Sequence, residues 1–418
     1  MRIAFIVNRF PALSETFILN QITGLLDRGH EVDIYAYRRR NEPEIHADVK
    51  KYNLLKRTYY LTFYASQSTN RVNRLLGSLG QIVSALRRKR ISPLSSLNLL
   101  KYWSDATSRK ILYQIIAFLD KAPYDIVHCQ FGPIGNLGTI LKEVGVMHGE
   151  IVTTFRGYDI SMYIEKKGVH VYDMLFEKGD LFLCVSNQIK DMLIKLGCED
   201  RKIVVHRSGV QLTNFHSHLP KSRSDGQVRL LTIARLVEKK GVEYGIQAVS
   251  KVLKNHPNLE YKIAGDGYLR NDLQILIEEL EVVNNVKLLG WQHQEQIIDL
   301  LQEADILLAP SVTSQTGDRE GIPGAIVEAL AWGLPVLSTR HSGIPEVVQD
   351  GECGFLVPER DTEALAEKLE YMLAHPELWR EMGRKGRMYV EEHYDLDKLN
   401  DRLVEIYQQI LAGKLLTA

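Results

Sequence analysis

Short apolar runs separated by amphipathic stretches set the rhythm of this chain. Residues 3–7, IAFIV, form an unbroken apolar run of strand length. SETFILNQITGLLDRG follows, with apolar residues recurring every three or four positions and Gly29 at its end, and then comes HEVDIYAY. Continuous or alternating apolar runs predict strands and a 3.6-residue period predicts helices, so the opening reads strand, helix, strand. The alternation returns in DIVHCQF, EIVTTF, LFLCVS and KIVVHR, each followed by a loop and a helical stretch. Such repetition implies parallel sheets covered by helices on both faces. The rhythm stops over Asn214–Gln227, NFHSHLPKSRSDGQ, which is polar and carries Pro220. That composition predicts a linker. A second series then begins with VRLLTIAR, LEYKIAG, NVKLLG, ADILLAP, LPVLSTR and GFLVP. The expected architecture is α/β, with two doubly wound, Rossmann-like domains over 1–216 and 217–395. Leu399, Leu403, Ile406, Tyr407 and Ile410 stripe a last helix within 396–418, expected to pack back on the first domain.

Composition narrows the class. The 418 residues exceed what one hydrophobic core usually organises, which agrees with two domains. A formal net charge of zero argues against a nucleic-acid binder. The zero hides an asymmetry, because residues 1–218 hold 30 Lys+Arg against 20 Asp+Glu, a net of +10 that the remainder cancels. Opposite charge on two halves suggests that they face each other, or that the first half meets something anionic. Cys129, Cys184, Cys198 and Cys353 show neither CxxC pairing nor metal-ligand spacing, as a reducing compartment would allow. Met1–Val7 reads as a first strand rather than a signal peptide, and no apolar run approaches the ~18 residues that span a bilayer. A cytoplasmic location is expected.

The richest segment is EGIPGAIVE, Glu320 to Glu328. Glycines and a proline follow the strand ADILLAP and open a helix, leaving free backbone N–H groups at a helix N-terminus. That is an anion site by geometry. Glu320 sits in the loop and Glu328 in the helix, so the two can reach different parts of one ligand. A carboxylate accepts hydrogen bonds from the vicinal hydroxyls that sugars and riboses offer. A solvated helix residue and a helix cap would be the plainer roles for the two glutamates.

The surrounding sequence supplies the context. The E-x₇-E arrangement, PVLSTRHSGIPEVVQDGECGFLV, and the ARLVEKKG and AGDG elements occur here together. In this order they resemble the retaining GT-B glycosyltransferases of family 4 (glycosyl transferases group 1), in particular the exopolysaccharide branch typified by colanic acid synthesis. The resemblance runs from FPALSETFI to the last helix and is strongest in the second domain. It implies that Glu320 approaches hydroxyls of a donor sugar and that Glu328 holds ribose hydroxyls. Gly321, Ile322, Pro323, Gly324 and Ala325 would then lie beside the diphosphate and sugar. It assigns Arg235 and Lys240 to the β-phosphate, where fixed cations must meet the charge of the departing nucleotide if no metal does. Lys239 is expected to point elsewhere. Gly265 and Gly267 of AGDG would permit close approach to the ligand, and Leu289 and Trp291 of LLGWQ lie where the family packs its nucleobase. The resemblance further implies retention of anomeric configuration, a donor on the second domain and an acceptor on the first.

The first domain departs from the common pattern. Many relatives carry a glycine-rich loop where this chain has FPALSETFI, with Ser14, Glu15 and Thr16 in its place. Ser14 suits a helix N-cap and Glu15 the helix's positive end. In TTFRGYD, Arg156 stands where many relatives place a histidine. Arginine is permanently protonated, so charge stabilisation rather than base catalysis is expected there. His128, at the end of DIVHCQF, is a second candidate for that vicinity, and His206 a weaker one. The only DxD match, Asp395-Leu396-Asp397, reads as a helix cap, so no metal is expected. No cofactor is expected beyond the nucleotide-sugar substrate, most simply a UDP-sugar. Partners would be that donor and a saccharide or lipid-linked saccharide acceptor. RVNRLLGSLGQIVSALRRKR, 71–90, has the pattern of a basic amphipathic helix that could lie on an anionic membrane surface, or pack its apolar stripe inward. Two readings of a different kind stay open: a nucleotide-sugar epimerase of the same fold, and an inactive donor-binding subunit.

Overall fold

A computed structural model describes residues 1–12, 15–39, 45–61, 118, 123–215 and 226–414. Ser14 and the basic stretch 71–90 lie outside the described residues.

Among these residues the first sheet has seven strands: β1 Arg2–Phe10, β2 Glu31–Arg39, β3 Thr58–Tyr60, β4 Ile126–Gln130, β5 Glu150–Phe155, β6 Leu181–Cys184 and β7 Ile203–Val205. Their order is β3-β2-β1-β4-β5-β6-β7, and every neighbouring pair is parallel. The second sheet has six: β8 Val228–Ile233, β9 Leu259–Ala264, β10 Val286–Gly290, β11 Ile306–Ala309, β12 Val336–Thr339 and β13 Gly354–Val357. It runs β10-β9-β8-β11-β12-β13, again all parallel. Both orders reverse beside the first strand, at β1/β4 and at β8/β11. In open α/β sheets that switch point, at the carboxyl ends of the strands, is where ligands lie. The continuous apolar runs are the strands buried on both faces, as in Ile3–Val7 and Ile306–Leu308.

Four helices bear on the site: α1 Thr16–Asp27, α2 Asn187–Lys195, α3 Gly324–Trp332 and α4 Leu396–Leu411. The last belongs to the second half of the sequence but packs on the first sheet. Leu403, Ile406 and Tyr407 are buried in one cluster with Ile3, Phe5, Ile18 and Ile22. Asp395 caps α4 by accepting from the Asp397 N–H at 2.9 Å. Arg28 on α1 donates to Asp401 at 2.7 Å, and His206 bonds the Leu399 carbonyl at 2.9 Å. The two passages between domains lie side by side. Val210 N–H donates to the Tyr394 carbonyl at 2.9 Å, and Leu396 N–H returns to the Val210 carbonyl at 3.1 Å.

This docking sets the surroundings of His128. The residue is fully buried, with Nε2 2.6 Å from Thr154 Oγ1 and Nδ1 2.6 Å from the Tyr407 hydroxyl. Both ring nitrogens are occupied, and burial, then the charge of Arg156, pushes its pKa well down. His128 is held between Thr154 and the C-terminal helix. His206 is likewise buried against α4, its pKa pushed down to about 4 by burial first. Tyr407→Phe should therefore lower unfolding free energy by ~1–3 kcal/mol, because it strands a buried polar atom. Denaturant titration checks this, and an unchanged midpoint would mean that α4 docks through its apolar stripe alone.

Candidate active site

Glu320 lies in the loop after β11, close to the seam between the two domains. Its carboxylate is 3.0 Å from Lys240 Nζ and 3.3 Å from Lys239 Nζ, with its side chain 11% exposed. Burial alone would raise its pKa, but Lys240 and then Lys239 outweigh it and hold the carboxyl at about 2. Glu320 is thus a fixed anion at neutral pH. It can accept hydrogen bonds but cannot donate a proton. Lys239 was expected to turn away. It does not, because Glu238–Lys240 is a single 3₁₀ turn, and Lys239 bridges Asp318 at 3.1 Å and Glu320. Lys240 makes one such contact, and its ammonium has three N–H donors to distribute. Arg235, just past the end of β8, is exposed and makes no ion pair among the described residues.

The backbone of the Glu320 loop is held at both ends. Glu320 N–H donates to His341 Nε2 at 3.1 Å, and the Ser342 hydroxyl donates to its carbonyl. His341 is fully buried, and its Nδ1 lies 2.7 Å from Glu359. An Nε2 that accepts leaves Nδ1 as the N–H donor, so Glu359 fixes the tautomer. Glu359 is itself placed by the Thr313 N–H at 2.6 Å.

Helix α3 opens three residues after Gly321 with no side-chain cap, and nothing approaches within 4 Å of the position a methyl on Gly324 would take. Pro323 at the N-cap ends the loop, Ile322 and Ala325 are half-buried, and Gly324 is exposed. One turn further, Glu328 makes no hydrogen bond or ion pair among the described residues, and burial lifts its carboxyl to about 7. An uncapped helix start and a carboxylate without a partner stand on one element. Together they leave an anion site and a hydroxyl acceptor unfilled by the protein.

Gly265 and Gly267 are pressed against neighbouring backbone. A methyl at Gly265 would sit 1.8 Å from the Ala234 carbonyl oxygen, and one at Gly267 2.2 Å from that of Leu236. The AGDG turn is seated on the backbone that carries Arg235, so these glycines meet their own chain. Leu289 is half-buried near the end of β10, whereas Trp291 is 51% exposed, its ring edge-on to His293. Trp291 is not core.

From the first domain, Arg156 closes the seam. Its guanidinium donates to Ser208 Oγ at 2.7 Å and to Gln130 Oε1 at 3.1 and 3.3 Å, over the Phe17 ring at 3.9 Å. Burial pulls its pKa down to about 9, against the pull of Asp159 and Glu15, and it stays protonated at neutral pH. Its loop is set by Asp159, which accepts from the N–H groups of Gly132, Arg156 and Gly157, each at 3.0 Å. A methyl on Gly321 would lie 2.2 Å from the Arg156 carbonyl oxygen, so the Glu320 loop packs directly on the Arg156 loop. At α1 the N-cap is Glu15, with Thr16 the first helical residue and exposed.

The geometry therefore unites Glu320, Lys240, Glu328, the start of α3 and Arg156, and leaves His128 out. The sequence motifs did not mark His341, Ser342, Glu359 or Asp318 as part of this assembly.

Residues 216–389 match the glycosyl transferases group 1 family, and residues 14–214 match Glycosyltransferase Family 4. Over 414 residues the chain is 36% identical to Escherichia coli K12 WcaL, a protein assigned as a colanic acid biosynthesis glycosyltransferase, covering 98% of this chain and all of WcaL. This chain belongs to glycosyltransferase family 4. Erwinia amylovora AmsK, an amylovoran biosynthesis glycosyltransferase, is 37% identical to this chain over 369 residues, covering 89% of AmsK and 88% of this chain. Among solved structures, Anabaena HepE in complex with UDP and glucose superposes with a TM-score of 0.70 at 17% identity, over 98% of this chain and all of HepE. Sucrose-phosphate synthase of Thermosynechococcus elongatus does so at 0.74 and 18% identity, over 99% of this chain and all of the synthase. The fold is GT-B. Among the described residues no helix is long and apolar enough to cross a membrane.

Proposed function

We propose that this enzyme moves a hexose from a UDP-sugar to a saccharide or lipid-linked saccharide acceptor in exopolysaccharide biosynthesis, with retention of configuration and without a metal. The observation that carries the reading is the pairing on one loop and helix. Glu320 is held ionised by two lysines, and Glu328 stands unpartnered beyond an uncapped helix start. The exopolysaccharide assignments of WcaL and AmsK and the UDP and glucose bound by HepE support the choice of substrates.

In this reading the ribose hydroxyls donate to Glu328 and the diphosphate lies at the N-terminus of α3. A sugar hydroxyl donates to Glu320, and Trp291 is free to meet the base. As the bond from the anomeric carbon to the β-phosphate oxygen breaks, Arg235 and Lys240 take up the developing charge. The acceptor hydroxyl enters on the same face and passes its proton to the departing phosphate. Arg156, fixed by Gln130 and Ser208, adds positive field from the first domain without exchanging a proton.

A panel of nucleotide sugars, read by nucleotide release and by the anomeric coupling of the product, tests this. UDP-hexose should turn over, an α-linked donor should give an α-linked glycoside, and chelator should leave the rate unchanged. An epimerised donor without glycoside would make the enzyme an isomerase. Activity lost to chelator would place the charge stabilisation on a metal.

A further inference from the structure

The segment His341–Glu346 of the second domain touches both the Glu320 loop and the first domain. His341 and Ser342 take the N–H and the carbonyl of Glu320. Ser342 Oγ also lies 2.6 Å from Gln188 Oε1, at the start of α2 in the first domain. Four residues on, the Glu346 carboxylate caps α2 from across the seam. It accepts from the Asn187 N–H at 2.8 Å, the Asn187 amide at 2.9 Å and the Gln188 N–H at 2.9 Å. A carboxylate at a helix N-terminus satisfies free donors and the helix dipole together. Arg207, also of the first domain, approaches it at 3.9 Å.

Two details distinguish this contact from ordinary interdomain packing. Ser342 adopts a left-handed backbone conformation, φ 50°, which a residue with a Cβ takes at a cost. Its single hydroxyl proton also faces two acceptors, the Glu320 carbonyl and Gln188 Oε1. It serves them alternately unless the Gln188 amide turns its NH₂ group toward Oγ, and then one hydroxyl bonds both at once. That second arrangement exists only while α2 is seated on Glu346.

We propose that His341 and Ser342 are positioning residues for Glu320, and that the Ser342–Gln188 and Glu346–α2 contacts form a clasp that makes the pose of Glu320 depend on closure of the domains. The inference rests on the reading of Glu320 as the group that meets the donor sugar. A bound donor then finds Glu320 in place only when the first domain, and the acceptor with it, has closed. Such gating limits loss of activated sugar to water before an acceptor is present.

The test compares Gln188→Ala, Ser342→Gly and Glu346→Gln in the full-length enzyme. Gln188 and Glu346 lie away from the reacting atoms, and glycine keeps the left-handed backbone at 342 while deleting the hydroxyl. Each single variant should lower kcat about tenfold, the range that loss of one net hydrogen bond allows, while KM for the nucleotide sugar moves less than about twofold. Adding Gln188→Ala to Ser342→Gly should cost little beyond Ser342→Gly alone, because the glycine has already removed the Ser342–Gln188 bond. A pair of spin labels, one per domain, should show a broader distance distribution for Glu346→Gln, a readout independent of turnover. Full kcat in all three variants, or simple multiplication of the two losses, overturns the clasp. Glu320→Gln separates the two levels. If it retains full transfer, the reading of Glu320 fails; if it is inactive while the clasp variants stay at full rate, only the clasp fails.

Discussion

Lys240→Ala and Arg235→Ala should each lower turnover by ~10²–10³-fold, the loss seen when one fixed donor is removed from a developing anion. Their side effects should differ. Arg235 is exposed without an ion pair, so its removal leaves folding intact. Lys240 is one of two cations on a buried carboxylate, and its loss leaves Glu320 with Lys239 at 3.3 Å. An anion left wholly unpaired in a buried site costs several kcal/mol, whereas one that keeps a partner does not. Thermal unfolding of Lys240→Ala should therefore stay near that of the parent, and the double variant Lys239→Ala/Lys240→Ala should unfold markedly earlier. Steady-state rates by nucleotide release, measured beside thermal melts, check both halves. If the single variants kept their rate while chelator abolished it, the charge on the leaving group would be met by a metal.

Lys239 shows where sequence reading stops. Alternation of apolar runs was sufficient for the two parallel sheets, since period and punctuation are local properties. Glu320 and Glu328 were legible for the same reason: a Gly/Pro break after a strand, followed by a helical run, defines a loop and helix start wherever it occurs. What holds those residues in place is not local. Lys239 reaches Glu320 across 81 positions because three residues wind into a 3₁₀ turn. His341 joins Glu320 to Glu359 only because the loops after β11, β12 and β13 converge at one sheet edge. The surroundings of His128 are equally non-local. A histidine at a strand end resembles a site residue until the helix bearing Tyr407, 279 positions later, docks against it. The glycines of AGDG were legible as points of close approach, and the sequence did not show the packing of Ala234 and Leu236 backbone against them.

Glu328 gives a prediction whose sign follows from its isolation. Burial raises its carboxyl to about 7, with no partner to oppose the shift. In the unfolded chain the same group ionises near the ordinary glutamate value of 4.5. Between these values the folded protein holds a proton that the unfolded chain has released, so this group's contribution to stability falls as pH rises through the window. Glu328→Gln should accordingly be neutral or stabilising at pH 8. Donor binding has the opposite sign. Two ribose hydroxyls favour the carboxylate, so a bound nucleotide sugar pulls the pKa down and binds more weakly as pH drops from 8 to 6. The loss should approach tenfold for each unit below the free enzyme's pKa. An intact nucleotide sugar is the right ligand, because its doubly esterified diphosphate does not titrate in this range whereas free UDP does. At pH 8, Glu328→Ala should weaken binding ~10- to 100-fold, about 1.4–2.7 kcal/mol, less than two full charged hydrogen bonds because water enters the vacated space. Calorimetry of the parent and of Glu328→Gln across this range decides the matter. Glutamine keeps the size of the side chain and removes its titration, so its affinity profile should be flat. A parent profile equally flat, with glutamine binding as tightly, would mean that the ribose is held elsewhere and that Glu328 is a buried acid without a ligand.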